Sequence, residues 1–246
     1  MSTEEFLRRR FSRMGARVRV QALERRPEEK IRIDVGRDRS GEFFDIRCQE
    51  AVVPEILDVQ DTSRHLVLMV RDGYAKNKFL LGHDERHWFA AAVPGNNVHD
   101  VRTAIASLRP AEIGGRNAIR QGEWFFVPAP GIKDKGVVIH RNEPLSRGAR
   151  SKPHICEELM RRGGVTVMVA PEYPSGITVD RYDRLIVTDP KARSMSWRRM
   201  TRDPEAYARG KVRHPDHKTI DLNGWHRIHM NRECFARHAP QVAFLD

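Results

Sequence analysis

Apolar positions recur along this chain in two rhythms, and each change of rhythm marks an element. Phe6, Leu7, Phe11 and Met14 fall on one helical stripe. Ser2 or Thr3 can cap that helix, Glu4 and Glu5 occupy its first turn, where the helix dipole favours acids, and Gly15 ends it. The period then drops to two. Val18, Val20 and Ala22 alternate with Arg17, Arg19 and Gln21, and Ile31, Ile33 and Val35 share one face of Lys30–Val35. Gly36–Gly41 is a charged turn, from which Phe43–Cys48 returns as the second arm of a hairpin. Val52–Val59 and His65–Val70 continue the strand pattern, and Phe79–Leu81 and Trp88–Val93 flank a further hairpin tip at Gly82–His87. Val98, Val101, Ile105 and Leu108 return to helical spacing, with Asn97 as the predicted cap and Pro110 beyond the end.

The Gly-rich stretch Ile113–Asn117 predicts a boundary between a domain over residues 1–112 and a second over 117–246. Beyond it, Glu123–Val127 is apolar on both faces and reads as a central strand, followed by strands at Val137–His140 and Val165–Ala170. His154–Arg162 reads as a short helix stopped by Gly163 and Gly164, and Ser175–Leu185 as another. Ala208–Arg213 and Thr219–Leu222 pair around Pro215, and Asn223-Gly224 signals a turn before Trp225–Met230. The expected class is α+β: two β-rich domains of mostly antiparallel sheet with a few short helices, the second forming a small barrel.

Charge adds a partner class. Lys plus Arg number 44 against 33 Asp plus Glu, a formal +11, and such a surface attracts polyanions, nucleic acid first among them. Basic residues interleave with aromatics at Tyr74, Lys76 and Lys78 and at Trp197, Arg198, Arg199 and Arg202; Arg8, Arg9 and Arg10 and the pair Arg161 and Arg162 extend the set. A β surface carrying aromatics suits splayed single strands, so RNA is expected ahead of DNA. The same surface would serve a non-catalytic subunit of a larger assembly. Cys48, Cys156 and Cys234 are odd in number and lack a CxxC spacing, which points to a reducing cytoplasm, and no apolar run reaches the ~20 residues of a membrane span. P-loop, GxGxxG, GxSxG and HExxH patterns do not occur.

Eleven histidines supply an alternative chemistry. His214 and His217 precede, and His226 follows, the turn of the late hairpin, and His154 and Cys156 can approach from another loop; together they form a candidate site for zinc or manganese, and hence a metal-assisted hydrolase such as a nuclease. His83 and His87, across the earlier hairpin tip, form the second choice. Asp34, Asp38, Glu42 and Asp45 surround the first charged hairpin, but alternation with Arg37 and Arg39 reads as solvated ion pairing.

Three blocks carry a resemblance: FLLGHDERHWFAAAVP (Phe79–Pro94), RQGEWFFVP (Arg120–Pro128) and VRHPDHKTIDLNGWHRIHMNRE (Val212–Glu233). Together they resemble an uncharacterised family of bacterial and bacteriophage proteins in which an RQGD or RQGE motif opens an apolar strand. In that family a His-containing loop and a late His-containing strand follow, matching Pro153–Glu157 and His214–Lys218 here. The resemblance implies a β-rich second domain and singles out His154, His214 and His217; it implies no activity.

Overall fold

A computed structural model describes residues 3–23, 30–49, 52–73, 75–95, 97–146, 152–233 and 244–245. The chain divides into two compact units. The first is Met1–Arg116 with Asp216–Lys218 and Met230–Arg237, and the second is Asn117–Pro215 with Thr219–His229 and His238–Asp246. Both are built mainly from antiparallel sheet, in keeping with the α+β expectation.

The first unit opens with α1 (Thr3–Arg13), then runs β1 (Val18–Ala22), β2 (Ile31–Asp38), β3 (Gly41–Cys48), β4 (Val53–Gln60), β5 (His65–Asp72), β6 (Ala75–Asp84), β7 (His87–Val93) and α2 (Val101–Leu108). A three-stranded sheet has the order β1-β3-β2, with β1 parallel to β3, and a four-stranded meander runs β4-β5-β6-β7. The helical stripe explains the first core: Leu7, Phe11 and Met14 pack with Phe44 and Ile46 of β3 and with Leu66, Leu68 and Val70 of β5. The alternate residues of the meander, Val67, Leu80, Ala91 and Val93, are covered on the other face by Val101, Ala104 and Leu108 of α2. Burial on both faces is why β5 reads as a continuous apolar run. Asn97 does not cap α2. Asp100 does, its carboxylate accepting from Thr103 N while the Thr103 hydroxyl engages the Asp100 backbone in a capping box.

Ion pairing organises the charged hairpin. Arg17 forks onto both oxygens of Asp38 (2.8 and 2.7 Å), and Arg47 takes Asp45 at 2.7 Å. Glu42 receives the Trp88 amide at 3.0 Å and lies 2.7 Å from His87 Nδ1. The Arg17 guanidinium holds the Asp38 carboxyl down at about 2. Burial pushes Glu42 up, but the Trp88 N–H, His87 and Arg37 outweigh it and leave it below its ordinary value. Carboxyls lowered in the fold contribute stability that is complete above their unfolded values and is lost as pH falls through the folded ones. The melting midpoint of the first unit should therefore fall between about pH 4.5 and pH 2, and Asp38→Asn should flatten that dependence. Thermal melts across this range that are equally steep in Asp38→Asn would show that the pair does not contribute.

The second unit contains β8 (Ile119–Gln121), β9 (Trp124–Pro128), β10 (Ile139–Leu145), β11 (His154–Arg162), β12 (Val165–Ala170), β13 (Tyr173–Thr178), α3 (Val179–Thr188), α4 (Pro190–Arg193), β14 (Arg198–Arg202), β15 (Glu205–Arg213), β16 (Ile220–Met230) and β17 (Phe244–Leu245). Six strands form the sheet β10-β11-β15-β16-β9-β8, and four form β13-β12-β14-β17. The six-stranded sheet is open among the described residues and so is not the closed barrel expected. It coils strongly all the same. Gln121 on the β8 edge, 2% exposed, donates to Val212 O of β15 at 3.3 Å, although two strands intervene in the sheet.

Two local expectations are corrected. His154–Arg162 is a strand, because it is paired along its length on both sides: Leu159 faces Ala208 on β15 and His140 on β10. Asn223-Gly224 lies inside β16, the left-handed Gly224 (φ +81°) being accommodated within one long strand. Ser175–Leu185 divides, its first residues completing β13 and the rest forming α3.

Candidate metal centre

The site begins with register. Ile155 of β11 pairs with Arg213 of β15, so the next cross-strand neighbours are His154 and His214. Their rings stack at 4.2 Å between centroids with 24° between planes. His214 and His217 are three residues apart in the connection that leads from β15 to β16. One ring nitrogen from each of His154, His214 and His217 lies within 4.8 Å of the other two. His154 is fully buried and the other two are half-buried.

Irregularities in the strands below hold this end of the sheet. The β11–β15 register shifts between Cys156 and Glu158. Gly210 is left-handed there (φ +78°), and a Cβ on it would stand 2.7 Å from Glu157 Oε2. The same Glu157 oxygen accepts from Lys211 N at 2.8 Å. Bulges of this kind sharpen twist and re-aim the residues that follow. Gln121, from the RQGE block, fixes β15 two residues before His214. Reading ligand types alone missed Gln121; its signal was a polar residue immediately before a Gly turn and an all-apolar strand.

Cys156 and His226 do not join the group. Cys156 is fully buried, and burial pushes its thiol up to about 12, so it is a neutral thiol at ordinary pH. His226 pairs with Ala208, six residues before His214 and so ~20 Å along the strand at ~3.3 Å per residue. Its Nδ1 lies 2.9 Å from Gly224 O. The second-choice pair diverges as well. His83 is paired with Trp88 and His87 with Asp84, so pleating sends the two imidazoles to opposite faces. His83 meets the Trp88 ring edge-on at 4.9 Å, where burial lowers its basicity, and His87 is engaged with Glu42. Burial also sets thiol access. Iodoacetamide should leave Cys156 unmodified in the native protein and modify it after unfolding, as peptide mass mapping would read; native modification would show that β11 opens.

The basic residues are dispersed. On α1, Arg8 and Arg9 are exposed, Arg8 pairs with Glu4 at 2.7 Å, and Arg10 lies over Phe6. On β6, Lys76 is exposed and Lys78 half-buried; Tyr74 and Cys234 lie outside the described residues. In the second unit Arg161 pairs with Glu143 at 2.9 Å and Arg162 donates to Lys133 O. Trp197 stands in an aromatic cluster whose other members, Tyr173 and Tyr182, were not foreseen, and Arg198, Arg199 and Arg202 follow it on β14.

Compared with protein-family models, curated proteins and solved structures, the chain matches none. No helix among the described residues is long and apolar enough to cross a membrane.

Proposed function

We propose that this protein binds a divalent transition-metal ion through His154, His214 and His217 and uses it in metal-assisted hydrolysis. The observation that carries this reading is the convergence of three imidazole nitrogens within 4.8 Å. Zinc–nitrogen bonds of ~2.0–2.1 Å at tetrahedral angles need nitrogens roughly 3.4 Å apart. The separations of up to 4.8 Å must therefore close when the ion binds. An all-imidazole set favours zinc over manganese, which prefers carboxylate and water oxygen. Three protein ligands would leave the fourth position of a tetrahedral ion for water, whereas structural zinc sites are closed by a fourth side chain. Zinc held by these residues would lower the pKa of its bound water to ~7 and so would supply hydroxide at neutral pH.

The test is twofold. Purified protein dialysed against zinc should retain about one equivalent by elemental analysis, and the loaded protein should cleave an activated phosphodiester such as bis(p-nitrophenyl) phosphate. No retention overturns the reading altogether. Stoichiometric retention without hydrolysis of activated phosphodiesters or esters overturns its catalytic half.

A further inference from the structure

We infer that the four-stranded sheet of the second unit carries a docking surface for single-stranded nucleic acid, centred on Trp197. The inference is independent of the metal centre.

Trp197 directly precedes β14. Its indole N–H donates to Ala192 O of α4 at 2.8 Å, and Ala192 is fully buried, so the ring is tethered to a rigid floor. Tyr173 stacks on it at 5.3 Å with 23° between planes, and Tyr182 of α3 meets it edge-on at 5.1 Å. All three rings are half-buried. A cluster serving only as core would bury them, yet α3 buries none of its ten residues. The three rings therefore form a preorganised, partly open aromatic platform.

Charge selects the occupant. Residues 173–202 hold seven Lys and Arg against three Asp and no Glu. Arg199, two residues beyond Trp197 on β14, is exposed, and Arg181, next to Tyr182 on α3, is exposed too. Arg202 donates to Ser175 O and Gly176 O, which ties β14 to β13 across β12. Aromatic faces flanked by guanidinium groups suit unpaired bases linked by phosphates, because bases stack on the rings while Arg takes the backbone. A duplex keeps its bases stacked internally and offers the rings nothing.

The experiment is fluorescence anisotropy with labelled 12-mer oligouridylate and oligothymidylate, in EDTA so that metal plays no part. Both strands should bind, and affinity should fall with salt. Trp197→Ala should weaken binding about ten- to a hundredfold. Arg199→Gln, an exposed change that leaves the fold alone, should make the log–log salt slope shallower by about 0.7, the share of one phosphate contact on a single strand. Tighter uridylate binding would identify RNA as the preferred strand, and equal binding would show that the surface reads only the stack and the phosphates; either supports the docking surface. No binding overturns the inference. So does equal affinity for a duplex or for heparin, or a wild-type salt slope in Arg199→Gln, because each would show attraction without this platform. Should Trp197→Ala lose its circular dichroism, the Arg199→Gln slope and the duplex control still decide.

Discussion

Phe44→Ala should destabilise the first unit by about 3–5 kcal/mol, as expected for truncating a fully buried aromatic side chain. Phe44 is 0% exposed, and its ring meets Phe11 of α1 edge-on at 5.4 Å and Trp88 of β7 at the same distance. It therefore joins a helix, the three-stranded sheet and the meander at one point. Truncation removes the transfer energy of a phenyl group and both ring contacts, and leaves a cavity walled by β-sheets that cannot collapse freely. The measurement is a denaturant melt followed by tryptophan fluorescence. Val187→Ala, at a site 71% exposed, serves as the control and should stay within ~0.5 kcal/mol. A Phe44→Ala loss below ~1 kcal/mol would mean that α1 does not pack on β3 as described.

This core was legible because its signals are local. The stripe of Phe6, Leu7, Phe11 and Met14 has one period and one solution, and the alternation through Val18, Ile33 and Ile46 matches the strands that form. What the pattern could not supply was pairing. The parallel contact of β1 with β3, Val18 against Phe44, depends on tertiary packing between segments separated by a whole strand. The error at His154–Arg162 has a related cause. The segment contains Glu157, Glu158, Leu159 and Met160, all good helix formers, and its strand state is imposed by β10 and β15 on either side. The cap of α2 moved from Asn97 to Asp100 because Thr103 at the third position completes a reciprocal box that Asn97 cannot.

The candidate site divides along the same line. His214 and His217 are close in sequence, and a turn after β15 is enough to bring them together. His154 reaches them only because β11 ends in register with β15, a pairing that the helix expectation for β11 would have prevented. His226 looked equivalent on the returning strand, but β16 is eleven residues long and carries it far from the turn. Strand length, which the Asn-Gly pair obscured, decided between them.

His217→Ala should reduce zinc affinity by about a hundredfold or more. Structural zinc in four-ligand peptides is bound by ~10–16 kcal/mol, or roughly 3 kcal/mol per ligand, and each ~1.4 kcal/mol is tenfold. His214→Ala should behave alike, since both side chains are half-buried and both lie in the connection between β15 and β16, outside the sheet ladder. His154→Ala should cost as much affinity and also some stability, because His154 is fully buried where the other two are not. Cys156→Ala, two residues away on the same strand, should leave zinc affinity within a few-fold, since its buried neutral thiol lies outside the cluster. The readout is competition titration against a chromogenic chelator, with circular dichroism confirming the fold of each variant. The pattern matters more than any one value: loss at the three histidines with retention at Cys156 identifies the set as ligands. Equal affinity in wild type and in the His214→Ala/His217→Ala double variant would show that zinc binds elsewhere, and the cluster would then be packing between two strand ends.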